Sequence, residues 1–348
     1  AATTDNLAKL YRIKGDYELA EPLFLKAKIL FERIFGQCHS AIIINQTGLG
    51  VMYLMLGRYD EAEQTFRNAL DCSMQLFGEE HPFYICNLNN LGLIAFDKGN
   101  LTEAEKIFRY VLKLASTNLG EEHPYYTQTL NNLGAVLCEL QLLGQAEELF
   151  LRSLDLTCKI VGENHPFFAT VLNNLGWINH RVGNYPAAED FYRRALDIRA
   201  RVLGEKHLDY VVSINHLAGP LVASGRWKEA CQYIQKGTSI VNELLARLVI
   251  AMPEEKAMAF NIQLETHTDM FLTLIWRFLP EDRKAVAEAL DLVWRRKAII
   301  YEASLIRQQT ILNDKYPHLR AIFAELKAKR DELARREFDQ YDISSDNL

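Results

Sequence analysis

The chain has 348 residues, of which 49% are hydrophobic and 24% charged, with a formal net charge of −6. That balance permits a packed core and excludes extended disorder. The mild acidity argues against a nucleic-acid surface, which shows as a basic excess. Only 9 prolines in this length favour helix over sheet. No apolar run reaches the ~20 residues of a bilayer span. The N-terminal AATTDNLAKLYRIKGDYELAE lacks a signal-peptide core, so neither a membrane nor a nucleic-acid partner is expected and a cytoplasmic location is. The six cysteines contain no CxxC pair, which predicts buried free thiols rather than a zinc site or disulfide framework. A start without Met and a polar tail at 339–348 suggest a piece of a longer protein.

In chain order, the dominant feature is a repeat. Gly36, Gly78, Gly120, Gly162 and Gly204 are spaced by 42 residues, as are His39, His81, His123, His165 and His207. Leu49, Leu91, Leu133, Leu175 and Leu217 keep the same step. Ala20, Ala62, Ala104, Ala146, Ala188 and Ala230 begin one unit earlier, and Phe24, Phe66, Phe108 and Phe150 are followed in register by Tyr192. Columns in register over this length define about six units across residues 1–245.

Each unit reads as two amphipathic helices, for example YICNLNNLGLIAFDKG followed by NLTEAEKIFRYVLKLASTNLG. Gly57, Gly99, Gly183 and Gly225 fall where a left-handed turn would separate the helices. Gln141 takes that place in unit four, so a different turn is expected there. Pro82, Pro124 and Pro166 suit the first turn of the next helix. Gly92, Gly134 and Gly176, with Ala104, Ala146 and Ala188, mark a close helix crossing. The recurrent histidines read as capping residues, too far apart to share a metal ion.

These residues resemble the tetratricopeptide repeat (TPR) family, whose signature positions match Leu91-Gly92, Ala104 and Phe108. The 42-residue period and the LGEEHP…LNNLG pattern are similar to the repeats of kinesin light chains. The resemblance implies an all-α fold, a right-handed superhelix of about six helix-turn-helix units, with second helices about two turns longer than usual.

After residue 245 the register stops. Helices are expected over 254–279, 281–312 and 317–338, together a C-terminal hairpin within 246–338. The stretches ALDLVWRRKAIIYEA and LRAIFAELKAKRDELARREF resemble the segment before the CHAT domain of bacterial TPR-CHAT proteins, whose CHAT domains are caspase-like proteases. The resemblance implies a protease domain downstream in the same parent protein, as a further partner. None of the CHAT catalytic motifs occurs in the chain itself.

Helix interiors disfavour asparagine, because its amide competes for backbone hydrogen bonds. Yet Asn89, Asn131, Asn173 and Asn215 form one column, and Asn90, Asn132 and Asn174 another, continued by His216. Two roles compensate: lining a groove that takes an extended peptide backbone, or bracing the next repeat as an amide ladder. In the TPR family the equivalent positions line the concave groove. The family's other groove positions map onto Val51, Leu54, Met55, Leu93, Phe96, Asp97, Glu139, Trp177, His180 and Arg181. Trp177 is the expected anchor, Trp being common among binding hot spots. Cys138 and His180 occupy equivalent groove-facing positions, but adjacent helices ~8–10 Å apart keep a short thiol from its base.

The sequence therefore predicts a non-catalytic scaffold that binds protein or peptide in its concave groove without a cofactor. Its expected setting is the regulatory module of a TPR-CHAT protease in bacterial defence or regulated cell death. The alternatives are a stand-alone adaptor and the sensor array of a nucleotide-dependent signalling protein.

Overall fold

The computed structural model describes residues 1–14, 16–251, 269–295 and 298. The described residues contain helices and no strand. Six helix pairs follow one another: α1 (Ala2–Lys14) with α2 (Tyr17–Phe35), α3 (Ser40–Met55) with α4 (Tyr59–Phe77), α5 (Pro82–Asp97) with α6 (Leu101–Asn118), α7 (Pro124–Glu139) with α8 (Leu143–Val161), α9 (Pro166–Arg181) with α10 (Tyr185–Val202), and α11 (Leu208–Ala223) with α12 (Trp227–Ala251). These are the six units predicted from the register. The chain divides into two compact parts, Ala1–Tyr233 and Ile234–Leu348, the division falling inside α12.

The recurrent histidines explain where each first helix starts. Nδ1 of His39, His81, His123 and His165 accepts a hydrogen bond from the backbone N–H two residues on at 3.2 Å, and His207 does so at 3.1 Å. One orphan donor of the helix N-terminus is thereby satisfied. Upstream, Gly78 closes α4 at φ 79° and ψ 176°, a conformation essentially restricted to glycine. Inside unit four the expected departure does not occur. Gln141 takes φ 61°, the left-handed turn that Gly99 and Gly183 make at 78° and 81°. The left-handed region tolerates a polar non-glycine residue at modest cost, so the turn survives the substitution.

The core is a row of aromatic plugs. Phe24, Phe66, Phe108 and Phe150 are essentially unexposed, and Tyr192 continues the row. From Phe66 onward each plug faces a glycine on the paired first helix, while Ala8 takes that place opposite Phe24. A Cβ at Gly92, Gly134 or Gly176 would lie 2.6, 2.6 and 2.7 Å from the ring of Phe108, Phe150 and Tyr192 respectively. The close approach is thus glycine to aromatic ring. Ala104, Ala146 and Ala188 are fully buried in the same core.

Cys38, just before α3, and Cys72, on α4, form a disulfide with Cα atoms 5.4 Å apart. This corrects the expectation of six free thiols. The two cysteines come from different repeat columns, and only folding brings them within the ~4.4–6.8 Å a disulfide needs. Cys86, Cys138, Cys158 and Cys231 form no disulfide.

In the second part, residues 269–278 and 283–295 are helical. Phe271, Leu274 and Ile275 are buried on the first, and Ala285, Ala289 and Leu292 on the second. The second helix starts at 283, two residues later than the expected 281, because Asp282 Oδ1 accepts from the N–H groups of Lys284 and Ala285, both at 3.2 Å. The rest of the expected hairpin, at 252–268 and 299–338, lies outside the described residues, as does the 339–348 tail.

Candidate peptide-binding groove

Within Ala1–Tyr233, successive first helices approach one another: α1 with α3, α3 with α5, α5 with α7, α7 with α9, and α9 with α11. Successive second helices stay further apart, so the first helices form the inner, concave layer. The predicted site residues all lie on that layer.

The asparagines build a ladder between units. Asn89 Oδ1 accepts from Asn132 Nδ2 at 3.2 Å and from the Thr129 hydroxyl at 3.1 Å. Asn131 Oδ1 accepts from Asn174 Nδ2 at 2.7 Å. Asn173 donates to Ser213 Oγ at 3.4 Å, and in the equivalent place three units earlier Thr47 donates to Asn87 Oδ1 at 3.0 Å. Asn89 and Asn131 thus each receive the second-column amide of the next unit, whereas Asn173 Oδ1 is buried with no hydrogen-bond partner and only the Asn173 amide N–H is used. Asn89, Asn131 and Asn173 are accordingly buried. Asn132, Asn174 and Asn215 are half-buried, and Asn90 sits at the buried limit with Nδ2 4.0 Å from Cys86 Sγ. Among the described residues, Oδ1 of Asn132 and of Asn174 accepts no hydrogen bond and is not buried.

Beside the ladder lies a strip of exposed and half-buried side chains. Phe96 and Trp177 are half-buried, each with one side against the core cluster around Phe108, Phe150 and Leu175. The Arg181 guanidinium stacks over the Trp177 ring at 5.0 Å and donates to Gln141 Oε1 at 2.9 Å. Such stacking fixes a long side chain that would otherwise lose entropy on binding. The half-buried His180 packs on α11: a Cβ at Gly219 would lie 3.0 Å from its Nε2. The Tyr185 ring stands 5.4 Å from the His180 ring. Met55, Asp97, Glu139 and Arg181 are exposed, so the strip is apolar near unit two and mixed in charge from unit three onward.

Cys138 does not face the groove. It is 4% exposed, and burial, reinforced by the Glu139 charge, pushes its thiol up to about 12. A thiol held that high is not a nucleophile at neutral pH, and no hydrogen bond joins it to His180 among the described residues. No group of His, Cys, Asp and Glu side chains suited to a metal ion occurs among the described residues. None of the described helices is long and apolar enough to cross a membrane.

The tetratricopeptide repeat family model matches residues 1–75, 40–116, 83–159, 125–200 and 167–243, so that its copies tile the whole array. The chain belongs to the tetratricopeptide repeat family. No curated protein matches it. Among solved structures, BtubC (BKLC) from P. vanneervenii superposes with a TM-score of 0.52 at 20% identity, over 64% of this chain and 87% of its own. A Podosopora anserina protein with nearly identical TPR-like repeats, described as a kinesin light chain, gives 0.46 at 20% identity over 59% of this chain and 98% of its own. At that identity the likeness concerns the fold. The TPR array is a scaffold of the kind that binds protein or peptide partners.

Three features escaped the sequence reading. The hydroxyls of Thr129 and Ser213 join the ladder, which two asparagine columns alone do not suggest. Arg199 is 5% exposed and ties α9, α10 and α11 together through Thr170 Oγ1 (3.1 Å), Ser213 Oγ (2.7 Å) and the Asp209 carbonyl (3.1 Å). Two matching ion clasps hold the second helices: Arg58 with Glu21 and Glu61, and Arg226 with Glu189 and Glu229. The 42-residue register was the available signal for the clasps, since each member of one lies four steps from its counterpart.

Proposed function

We propose that the array is a partner-recognition module that holds an extended protein segment along its first-helix face. One observation carries this reading. The ladder uses one N–H of Asn132 and Asn174 and leaves their carbonyl oxygens free on the concave side, beside Trp177 and Arg181. A spaced row of free amide acceptors meets the backbone N–H groups of an extended chain, and the Trp177–Arg181 pair supplies the anchor. The first column then braces the array, while the second both braces and binds.

The finer reading is that the parent protein is a TPR-CHAT protease whose array senses a partner, in bacterial defence or regulated cell death. What supports it is the sequence resemblance over 285–338, most of which lies outside the described residues. Reading the frame beyond Leu348 tests it directly. A downstream His and Cys in a caspase-like setting is the expected result; their absence removes the protease and leaves an adaptor.

The groove itself is tested by selecting extended peptides from a random library against the immobilised chain. Selected peptides should lose at least tenfold in affinity on Trp177→Ala. They should also weaken on Asn132→Ala with Asn174→Ala by more than the accompanying loss of stability explains. Peptides indifferent to both changes would refute the groove.

A further inference from the structure

Three columns, one from the second helix of the earlier unit and one from each helix of the later unit, are hydrophobic or aromatic at every junction between the six units except the first. The columns give Leu70–Leu88–Ile107, Leu112–Leu130–Leu149, Leu154–Leu172–Phe191 and Leu196–Ile214–Tyr233. In the structure Leu112, Leu130 and Leu149 pack in one cluster, and Leu154, Leu172 and Phe191 in another. At the first junction the same three columns hold Lys28, Gln46 and Thr65.

The consequence is a cavity of about 290 Å³ between α2 and α4, with α3 as its floor. Lys28, Gln46, Thr65 and Asn68 line it, together with Leu25 and Tyr53. Gln46 is 6% exposed and its Oε1 has no hydrogen-bond partner. An unsatisfied buried amide oxygen is costly, and a bound hydrogen-bond donor would recover that cost. Lys28 Nζ is held only loosely, 3.7 Å from Glu32. Glu61 also lines the cavity, and its carboxylate is already clasped by Arg58.

We propose that this cavity binds a small carboxylic acid with a hydrogen-bond donor and a short apolar body: an α-amino or α-hydroxy acid. Its carboxylate pairs with the Lys28 ammonium and accepts from amide N–H groups. Its ammonium or hydroxyl donates to the Gln46 carbonyl. Its side chain lies on Leu25 and Tyr53. The volume matches the lower end of small-molecule sites, ~300 Å³. The walls of the site are the second helices α2 and α4, and the proposal does not depend on the groove reading.

The test is thermal melting of the full chain with each of the twenty amino acids and with 2-hydroxy-4-methylpentanoate, then titration calorimetry on any that shift it. At least one probe should raise Tm by about 5 °C at saturation. The variant Lys28→Leu/Gln46→Leu/Thr65→Ile, which gives the first junction the apolar character of the other columns, should abolish that shift. Should it fail to fold, Gln46→Leu alone must weaken binding at least tenfold. No shift with any probe, a shift that persists in the triple variant, or an unchanged affinity in Gln46→Leu overturns the proposal.

Discussion

Gly134→Ala gives the sharpest check on how the units pack. Two terms oppose each other. Replacing a mid-helix glycine with alanine gains about 1 kcal/mol of helix propensity. Against it, the new Cβ would sit 2.6, 2.9 and 3.0 Å from three ring carbons of Phe150. Carbon pairs prefer about 3.5–4.0 Å, and the ring is 1% exposed, with no free space to retreat into. Overpacking of this kind costs about 1–3 kcal/mol, and three simultaneous contacts put it near the top of that range. The net expectation is destabilisation by about 2 kcal/mol, or a Tm lower by roughly 4–8 °C. Gly144→Ala is the internal control, because Gly144 is an exposed helical position with no atom within 4 Å of the added Cβ. It should stabilise by up to about 1 kcal/mol. Phe150→Leu should lose stability alone yet relieve Gly134→Ala in the double variant, a coupling that denaturant midpoints would reveal. A Gly134→Ala protein as stable as the wild type, or one that behaves like Gly144→Ala, would refute the packing argument.

His123→Ala removes a helix cap and should cost about 1 kcal/mol in urea unfolding, with His123→Asn restoring most of it. Burial also holds the His123 imidazole below its ordinary value. The unfolded chain therefore binds its proton more readily, so this contribution is complete above the unfolded value near ~6.5 and is lost as pH falls through the folded one. Stability should drop between neutral and mildly acid pH, and drop less in His123→Asn; an identical drop in both would count against the cap. Alkylation without reductant, read by mass spectrometry after unfolding, should label Cys86, Cys138, Cys158 and Cys231 and spare Cys38 and Cys72. Labelling of Cys38 would contradict the disulfide.

The array was legible because stacked repeats write the same contact again and again. Phe108 beside Gly92 and His81 before Pro82 recur in register, and each column reports one packing demand. What stayed hidden was contact between columns. Asn89 pairs with Asn132 rather than with Asn131, a diagonal step of 43 residues that alignment at 42 does not display. Cys38 and Cys72 meet for the same reason, across unlike positions of one unit boundary. Trp177, His180 and Arg181 all lie on the first helix α9. Their mutual arrangement, with Arg181 spread over Trp177 and reaching back to Gln141, depends on side-chain geometry that spacing does not encode. Lys28, Gln46 and Thr65 interrupt three apolar columns at one junction, but only the fold brings those columns to one place.

The central claim is that partners lie along the first-helix face. It is tested most directly by installing a photo-crosslinking amino acid, one position at a time, and exposing the chain to a partner or selected peptide. Positions 96 and 177 sit on the concave strip; Tyr110 and Leu151 are exposed on second helices. Crosslinks from positions 96 and 177, with none from 110 and 151, are the predicted result. The reverse pattern would contradict the account.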